Sequence, residues 1–222
     1  MKFEINREIL LKPLQQVAGV VERRQTLPIL SNILMQLDGN KLSLTGTDLE
    51  VEMVAVVDVV GSDAGEITVP ARKFLDICRE LPDNADIEVT LNDQRLEIRS
   101  GRFRSHLSTL AAADFPVVDK TESQESAEVD AQSLKQLLEL TGFAMAQQDV
   151  RYYLNGMLWE LNSNQLRAVA TDGHRMALSD GACDVSVDAA IASILPRKGI
   201  IELSRLLDET DVKVTMGSNH IR

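Results

Sequence analysis

Four stretches of the chain recur in the same order about 124 residues further on. LLKPLQQVAGVV (10–21) resembles SLKQLLELTGFA (133–144), and LPILSNILMQLDGNKLSLTGTDLEVEM (27–53) follows the plan of RYYLNGMLWELNSNQLRAVATDGHRMA (151–177). VPARKFLDICREL (69–81) matches LPRKGIIELSRLL (195–207), and ADIEVTLNDQRLEIR (85–99) resembles TDVKVTMGSNHIR (210–222). The offsets hold nearly constant: Asp48 and Asp172 are 124 apart, and Pro70 and Pro196 are 126 apart. One similar segment arises cheaply by chance, but four collinear ones imply a duplicated module. The 222 residues suffice for two domains of ordinary size, expected at 1–120 and 121–222. The second copy stops at Arg222, level with Glu97 of the first, before any equivalent of RSGRFRSHLSTLAAADFP. It is therefore expected to lack its last strand and to leave an open sheet edge.

Within each copy the periodicity is that of an α+β module. Ile9, Leu10, Pro13, Leu14 and Val17 fall near helical spacing behind Asn6, a plausible N-cap. ILMQLDGNKLSLTG then reads as a hairpin turning at Asp38-Gly39-Asn40. Leu42 and Leu44 alternate with Ser43 and Thr45, which predicts a half-buried strand, and VEMVAVVDVV is expected to continue the sheet. Pro70 suits the first turn of a second helix, ARKFLDICREL. IEVTL, QRLEIR and RSHLSTL read as three further strands, followed by a loop with Phe115 and Pro116. The polar, acidic TESQESAEVD (121–130) reads as a linker, with a strand extension at its end as the alternative. The fold class expected is α+β, with repeated domains of two helices packed on antiparallel sheets.

Some functions are disfavoured at once. Asp172, His174 and Ser179 invite a hydrolase reading, but no nucleophile elbow accompanies them. The histidines, His106, His174 and His220, lie far apart, so with Cys78 and Cys183 they offer no metal spacing. No glycine-rich phosphate loop is present. A non-catalytic protein without cofactor or metal is expected. The charged N-terminal stretch MKFEINREILLKPL lacks the apolar core of a secretory signal, and no run is long enough to span a membrane. A cytoplasmic protein with two reduced, structural cysteines is expected.

The net charge of −11 argues against a phosphate-binding surface, but the charge is unevenly distributed. The helix-bearing segments 6–24, 70–81, 130–151 and 196–208 hold 12 basic and 9 acidic residues, and the rest of the chain holds 11 and 25. Solvated helix faces would also account for that enrichment. Both second helices open on basic pairs, Arg72-Lys73 and Arg197-Lys198, where cations oppose the macrodipole by roughly 0.3–1 kcal/mol each. Their recurrence in both copies points to a use beyond helix stability, although plain inheritance from a common ancestor also explains it.

LLKPLQQV, LPILSN, LTGTDLE, VPARKF, QDVRYYLNGM, ATDGHR and PRKGIIEL, in that order, resemble the bacterial DNA polymerase III beta subunit family, the ring-forming sliding clamps. The resemblance spans the whole chain and implies the DNA clamp fold. It supplies the first domain and most of the second of three per subunit, with helices lining a hole and sheets outside. It implies a processivity factor that encircles double-stranded DNA as a homodimer when complete. DNA polymerase III and the clamp loader would be held through short linear peptides. The matching DNA-facing residues are Arg24, Arg72, Gln148, Tyr152, Tyr153 and Lys198. The peptide cleft matches Leu154, Thr171, Gly173, His174, Arg175 and Met176, with its other wall expected beyond Arg222. The subunit interface matches Lys73, Arg95, Arg102, Arg104 and Leu107. There the pattern departs: Ser105 stands where an aromatic is expected, and Phe103 lies two residues earlier on the same strand face. A protein-interaction module that never encircles DNA is the alternative.

Overall fold

A computed structural model describes residues 1–22, 27–117, 125–183, 190–207, 211–217 and 220–222. The chain divides into two compact units, Met1–Val118 and Asp119–Arg222.

In the first unit, β1 (Lys2–Asn6) leads into α1 (Arg7–Val20), with the Asn6 side chain accepting from the Glu8 N–H at 3.0 Å. Three strands follow: β2 (Asn32–Asp38), β3 (Lys41–Thr47) and β4 (Glu52–Asp58). Gly39, at φ +56°, makes the β2–β3 turn that the Asp-Gly-Asn triplet foretold. The expected half-buried character of β3 holds only at its start. Thr45 and Thr47 are buried along with Leu42 and Leu44.

The run VEMVAVVDVV does not continue one sheet. It breaks at Val59, whose N–H donates to the Asn40 carbonyl at 2.9 Å, and the chain crosses to the other sheet as β5 (Val60–Asp63). β6 (Gly65–Pro70), α2 (Ala71–Glu80), β7 (Asp86–Asn92), β8 (Arg95–Ser100) and β9 (Phe103–Ser108) complete the unit. Its sheets run β4-β3-β2-β6 and β5-β1-β7-β8-β9, all antiparallel. One apolar cluster joins both sheets to both helices, including Phe3, Leu14, Met35, Phe74 and Ile98.

The second unit repeats this order: β10 (Glu125–Val129), α3 (Ala131–Gly142), β11 (Gly156–Asn162), β12 (Gln165–Thr171), β13 (Met176–Ala182), β14 (Ile191–Pro196), α4 (Arg197–Leu206) and β15 (Val212–Met216). Its sheets are β13-β12-β11-β14 and β10-β15, matching β4-β3-β2-β6 and β1-β7. The duplication read from the residues is thus a duplication of topology. β10 lies within the stretch read as a linker. Ala127 and Val129 point into the core and Glu128 points out, so the strand alternative holds for 125–129, and 121–124 lie outside the described residues. At the C-terminus, Arg222 exchanges two backbone hydrogen bonds with Thr215, as Glu97 faces Thr90 in the first unit. The separate apolar cluster of this unit centres on Trp159, Met157, Leu161 and Leu166.

The units differ on the outward face of the four-stranded sheet. In the first, β6 is bridged to Leu110, and the Thr68 hydroxyl donates to the Leu110 carbonyl at 3.0 Å and accepts from Asn32 at 2.9 Å. Leu34, Thr45 and Thr68 share that face and are buried, as is Phe115. Their counterparts in register, Leu158, Val169 and Ile194, line up with Leu178 as an apolar row across all four strands. Ile194 and Leu178 are about half exposed, and no described residue covers the row as the Leu110–Phe115 stretch covers the first.

The arginines at the helix starts have work inside the fold. Arg7, at the start of α1, donates to the Cys78 and Arg79 carbonyls at the end of α2, at 2.9 and 3.1 Å. Arg72, at the start of α2, returns the contact to the Val21 carbonyl closing α1, at 3.3 Å. Each helix thus receives a cation where its macrodipole is negative. In the second unit Arg197 reaches the Met145 carbonyl, beyond the end of α3, at 3.3 Å. The recurring basic pairs therefore have a structural explanation in Arg72 and Arg197. Cys78 and Cys183 are both buried thiols, and burial raises the Cys78 thiol to about 12, which leaves it inert. Among the described residues no helix is long and apolar enough to cross a membrane.

Candidate functional site

The β3–β4 and β12–β13 connections are the same turn built twice. In the second unit, Asp172 Oδ1 accepts from the His174 and Arg175 backbone N–H groups at 2.9 and 3.0 Å. The Thr171 hydroxyl donates to the Arg175 carbonyl at 2.7 Å and accepts from the Gly173 N–H at 3.1 Å. In the first unit, Asp48 accepts from Glu50 and Val51, and Thr47 bonds the Val51 carbonyl and the Leu49 N–H. Such Asx geometry bends the chain with local polar atoms alone. The residue after the aspartate is left-handed in both, Leu49 at φ +80° and Gly173 at φ +88°. The backbone donors of His174 and Arg175 hold the Asp172 carboxyl below the usual range.

The second half of the site is the loop from Gln147 to Asn155. Asp149 organises it. Its N–H donates to Asn155 Oδ1 at 2.9 Å, and its carbonyl accepts from Asn155 Nδ2 at 2.8 Å. Its carboxylate takes both Nε and Nη2 of Arg151, at 3.0 and 2.9 Å, and the Arg151 N–H at 2.8 Å. The guanidinium first, and the backbone N–H second, lower the Asp149 carboxyl to about 2. Gln148, in a left-handed conformation, is exposed. Val150 and Tyr152 project almost fully into solvent, at 97% and 84% exposure, with Tyr153 set edge-on to Tyr152 at 5.9 Å. Leu154 closes the loop, buried, its carbonyl accepting from Ala146 at 3.0 Å.

Turn and loop meet. Arg175 donates to Asp172 at 3.0 Å, and its guanidinium lies over the Phe143 ring at 5.5 Å. Between them opens a cavity of about 320 Å³ lined by Phe143, Asp149, Asp172, His174, Arg175 and Arg197, among others. Of the residues expected in a peptide cleft, Thr171, Gly173, His174, Arg175 and Met176 share this turn, and Leu154 sits on the adjoining loop. Met176 is 68% exposed and stands beside the apolar row of Leu178 and Val169. His174 and Arg175 face the cavity, and the other four do not line it. Asp149, Arg151 and Phe143 were not expected at the site. Asp149 and Arg151 take their roles from contacts within the loop itself, and Phe143 from the guanidinium of Arg175 across the unit.

The remaining candidates divide between the units. Lys198 is half-buried in the first turn of α4, next to Arg197. Arg72 and Lys73 are exposed in the first turn of α2, and Arg24 lies outside the described residues. Arg95, Arg102 and Arg104 are exposed around β8 and β9, the last two strands at one end of the five-stranded sheet. Glu97 on β8 draws Arg99 at 2.7 Å and Arg104 at 3.4 Å, and its carboxyl is held down chiefly by Arg99. On the opposite face of β9, Phe103, Ser105 and buried Leu107 share one side. There Phe103, Ile77 and Leu81 flank an apolar depression of about 280 Å³, rimmed by Asp76 and Glu80.

Residues 1–119 match the family described as DNA polymerase III beta subunit, N-terminal domain, and residues 128–222 match its central domain. The chain belongs to the DNA polymerase III beta subunit family. It is 53% identical over 225 residues to the beta sliding clamp of Pseudomonas putida and 54% identical over 228 residues to that of Escherichia coli K12. Both alignments cover 100% of this chain and 61% of the relative. The crystal structure of the beta subunit from Pseudomonas aeruginosa superposes with a TM-score of 0.95 at 52% identity, again over 100% of this chain and 61% of the other. Pol III beta of Caulobacter crescentus gives 0.91 at 40% identity, over 100% of this chain and 62% of the other. The chain thus spans about three-fifths of the length of the beta subunits it matches, and its α+β architecture is that of the clamps.

Proposed function

We propose that this chain provides the first two modules of a sliding clamp, a non-catalytic processivity factor that encircles duplex DNA and tethers DNA polymerase III. The observation that carries the reading is the twice-built module, with the same strand order in both units, in a chain belonging to the beta subunit family. Encirclement retains DNA by topology, so the lining needs only a mild positive bias. A strongly basic lining would release many counterions on binding and hold the clamp in place. The helix-bearing segments, 12 basic against 9 acidic within a chain of net charge −11, fit that requirement.

Within this proposal Arg24, Arg72, Gln148, Tyr152, Tyr153 and Lys198 touch DNA. Phosphate is the partner of the cations, and exposed tyrosine rings suit stacking on an unpaired base. Leu154, Thr171, Gly173, His174, Arg175 and Met176 receive short peptides from the polymerase and the clamp loader. Met176 and the neighbouring apolar row offer an adaptable floor. Lys73, Arg95, Arg102, Arg104 and Leu107 close the ring against a second subunit. The Phe103–Ile77–Leu81 depression gives that contact an apolar centre and the arginines a charged rim.

The test is primer extension by DNA polymerase III with clamp loader and a protein of the relatives' full length carrying this chain. The product made per binding event should lengthen manyfold. If peptides still bind but product length does not change, the chain belongs to an interaction module that never encircles DNA.

A further inference from the structure

We propose that Arg151 is a positioning residue that ties the loop bearing Tyr152 and Tyr153 to the turn bearing His174 and Arg175, so that a shift on either side is felt on the other. The inference deepens the reading above, in which these are the strand-contacting and peptide-receiving parts.

Arg151 is fixed to its own loop by the bidentate pair with Asp149, at 3.0 and 2.9 Å, and by its backbone N–H at 2.8 Å. Its carbonyl accepts from the Leu154 N–H at 2.9 Å, so the short helical turn holding both tyrosines starts on it. The same guanidinium lies against Gly173. A Cβ there would stand 3.1 Å from Nη2, 3.2 Å from Nη1 and 3.5 Å from Cζ.

The duplication supplies the control. Leu49 occupies the position of Gly173 in an identically bonded turn at φ +80°, so the turn itself does not demand glycine. The first copy carries Leu27 where the second carries Arg151. Glycine in the turn therefore accompanies the arginine that lies against it, and leucine in the turn accompanies its absence. Because linkage is reciprocal, a peptide that displaces Gly173 must also move the tyrosine loop.

The experiment is a double-mutant cycle on this chain, read by the ring proton resonances of Tyr152 and Tyr153. Gly173→Leu keeps the turn but takes the guanidinium's place. It should move both ring signals by more than a linewidth while Trp159 fluorescence reports an intact core. In an Arg151→Leu background the same substitution should move them no further. Gly173→Ala, whose Cβ meets the same atoms, replaces Gly173→Leu if the larger variant fails to fold. Unmoved ring signals in the folded Gly173 variant, or a shift of undiminished size without Arg151, overturn the proposal. No DNA or peptide is needed, so failure here is distinct from failure of the clamp reading.

Discussion

Leu161→Ala tests whether the two units fold on separate cores. Leu161 is fully buried on β11, the second strand in from the β14 edge, paired with Leu166 and Ile191 and packed in the cluster around Trp159. Removing a buried leucine to alanine takes away its transfer energy and leaves a cavity, at about 2–5 kcal/mol. The upper half of that range applies, because the cluster it belongs to draws buried side chains from β10, β11, β12, β15, α3 and α4, which cannot all collapse inward. For a unit of roughly 100 residues, each kcal/mol moves the midpoint by about 4–8 °C, so a fall of about 14–40 °C is expected. The chain holds a single tryptophan, and it lies in this cluster. Tryptophan emission therefore follows the second unit, while the far-ultraviolet circular dichroism follows both. The variant should lower the tryptophan midpoint and split the dichroism melt, with the later transition where the wild type's first unit melts. A single transition, displaced as a whole in both signals, would show that the clusters do not unfold separately and would refute the reasoning.

Gly46→Ala should destabilise the first unit by about 1–3 kcal/mol, because its Cβ would lie 2.7 Å from the Val17 carbonyl of α1. Dichroism should report that loss with the tryptophan midpoint unchanged. Arg7→Leu removes the donors that close α2 at Cys78 and Arg79 and should cost about 1–3 kcal/mol by the same measurement. Asp149, lowered to about 2 in the fold, stabilises the loop above the ordinary aspartate range and loses that contribution as pH falls through its folded value. The Arg151 guanidinium and Asn155 side-chain amide signals should therefore hold steady from neutral pH to about 4 and move as pH falls from there through about 2. Movement centred near neutral pH would contradict the assigned pairing.

Much of this fold was legible because its determinants are local. The Asn6 cap, the turn at Gly39 and the alternation of Leu42 and Leu44 act within a few residues, and the duplication checks each of them against a second copy. The misreadings arose where distant contacts win. Val59 crosses between sheets because β5 pairs with β1, some 55 residues earlier, and nothing in VEMVAVVDVV marks the break. β10 forms from acidic ESAEV because β15 pairs with it. The site divides in the same way. The Thr-Asp turn was visible as a motif, while the Arg7–Cys78, Arg72–Val21 and Arg151–Gly173 contacts join residues between 22 and 71 positions apart. Arg72 and Arg197 looked misplaced only because the carbonyls they serve lie elsewhere in the chain.

Encirclement is tested most directly by topology. A protein of the relatives' full length carrying this chain, loaded onto nicked circular duplex and passed through a sizing column at moderate salt, should elute with the DNA. Cutting the circle once should release it, because a closed ring slides off a free end. Equal retention on circular and linear forms would mean that the protein holds DNA by surface contacts, and the clamp account would fail.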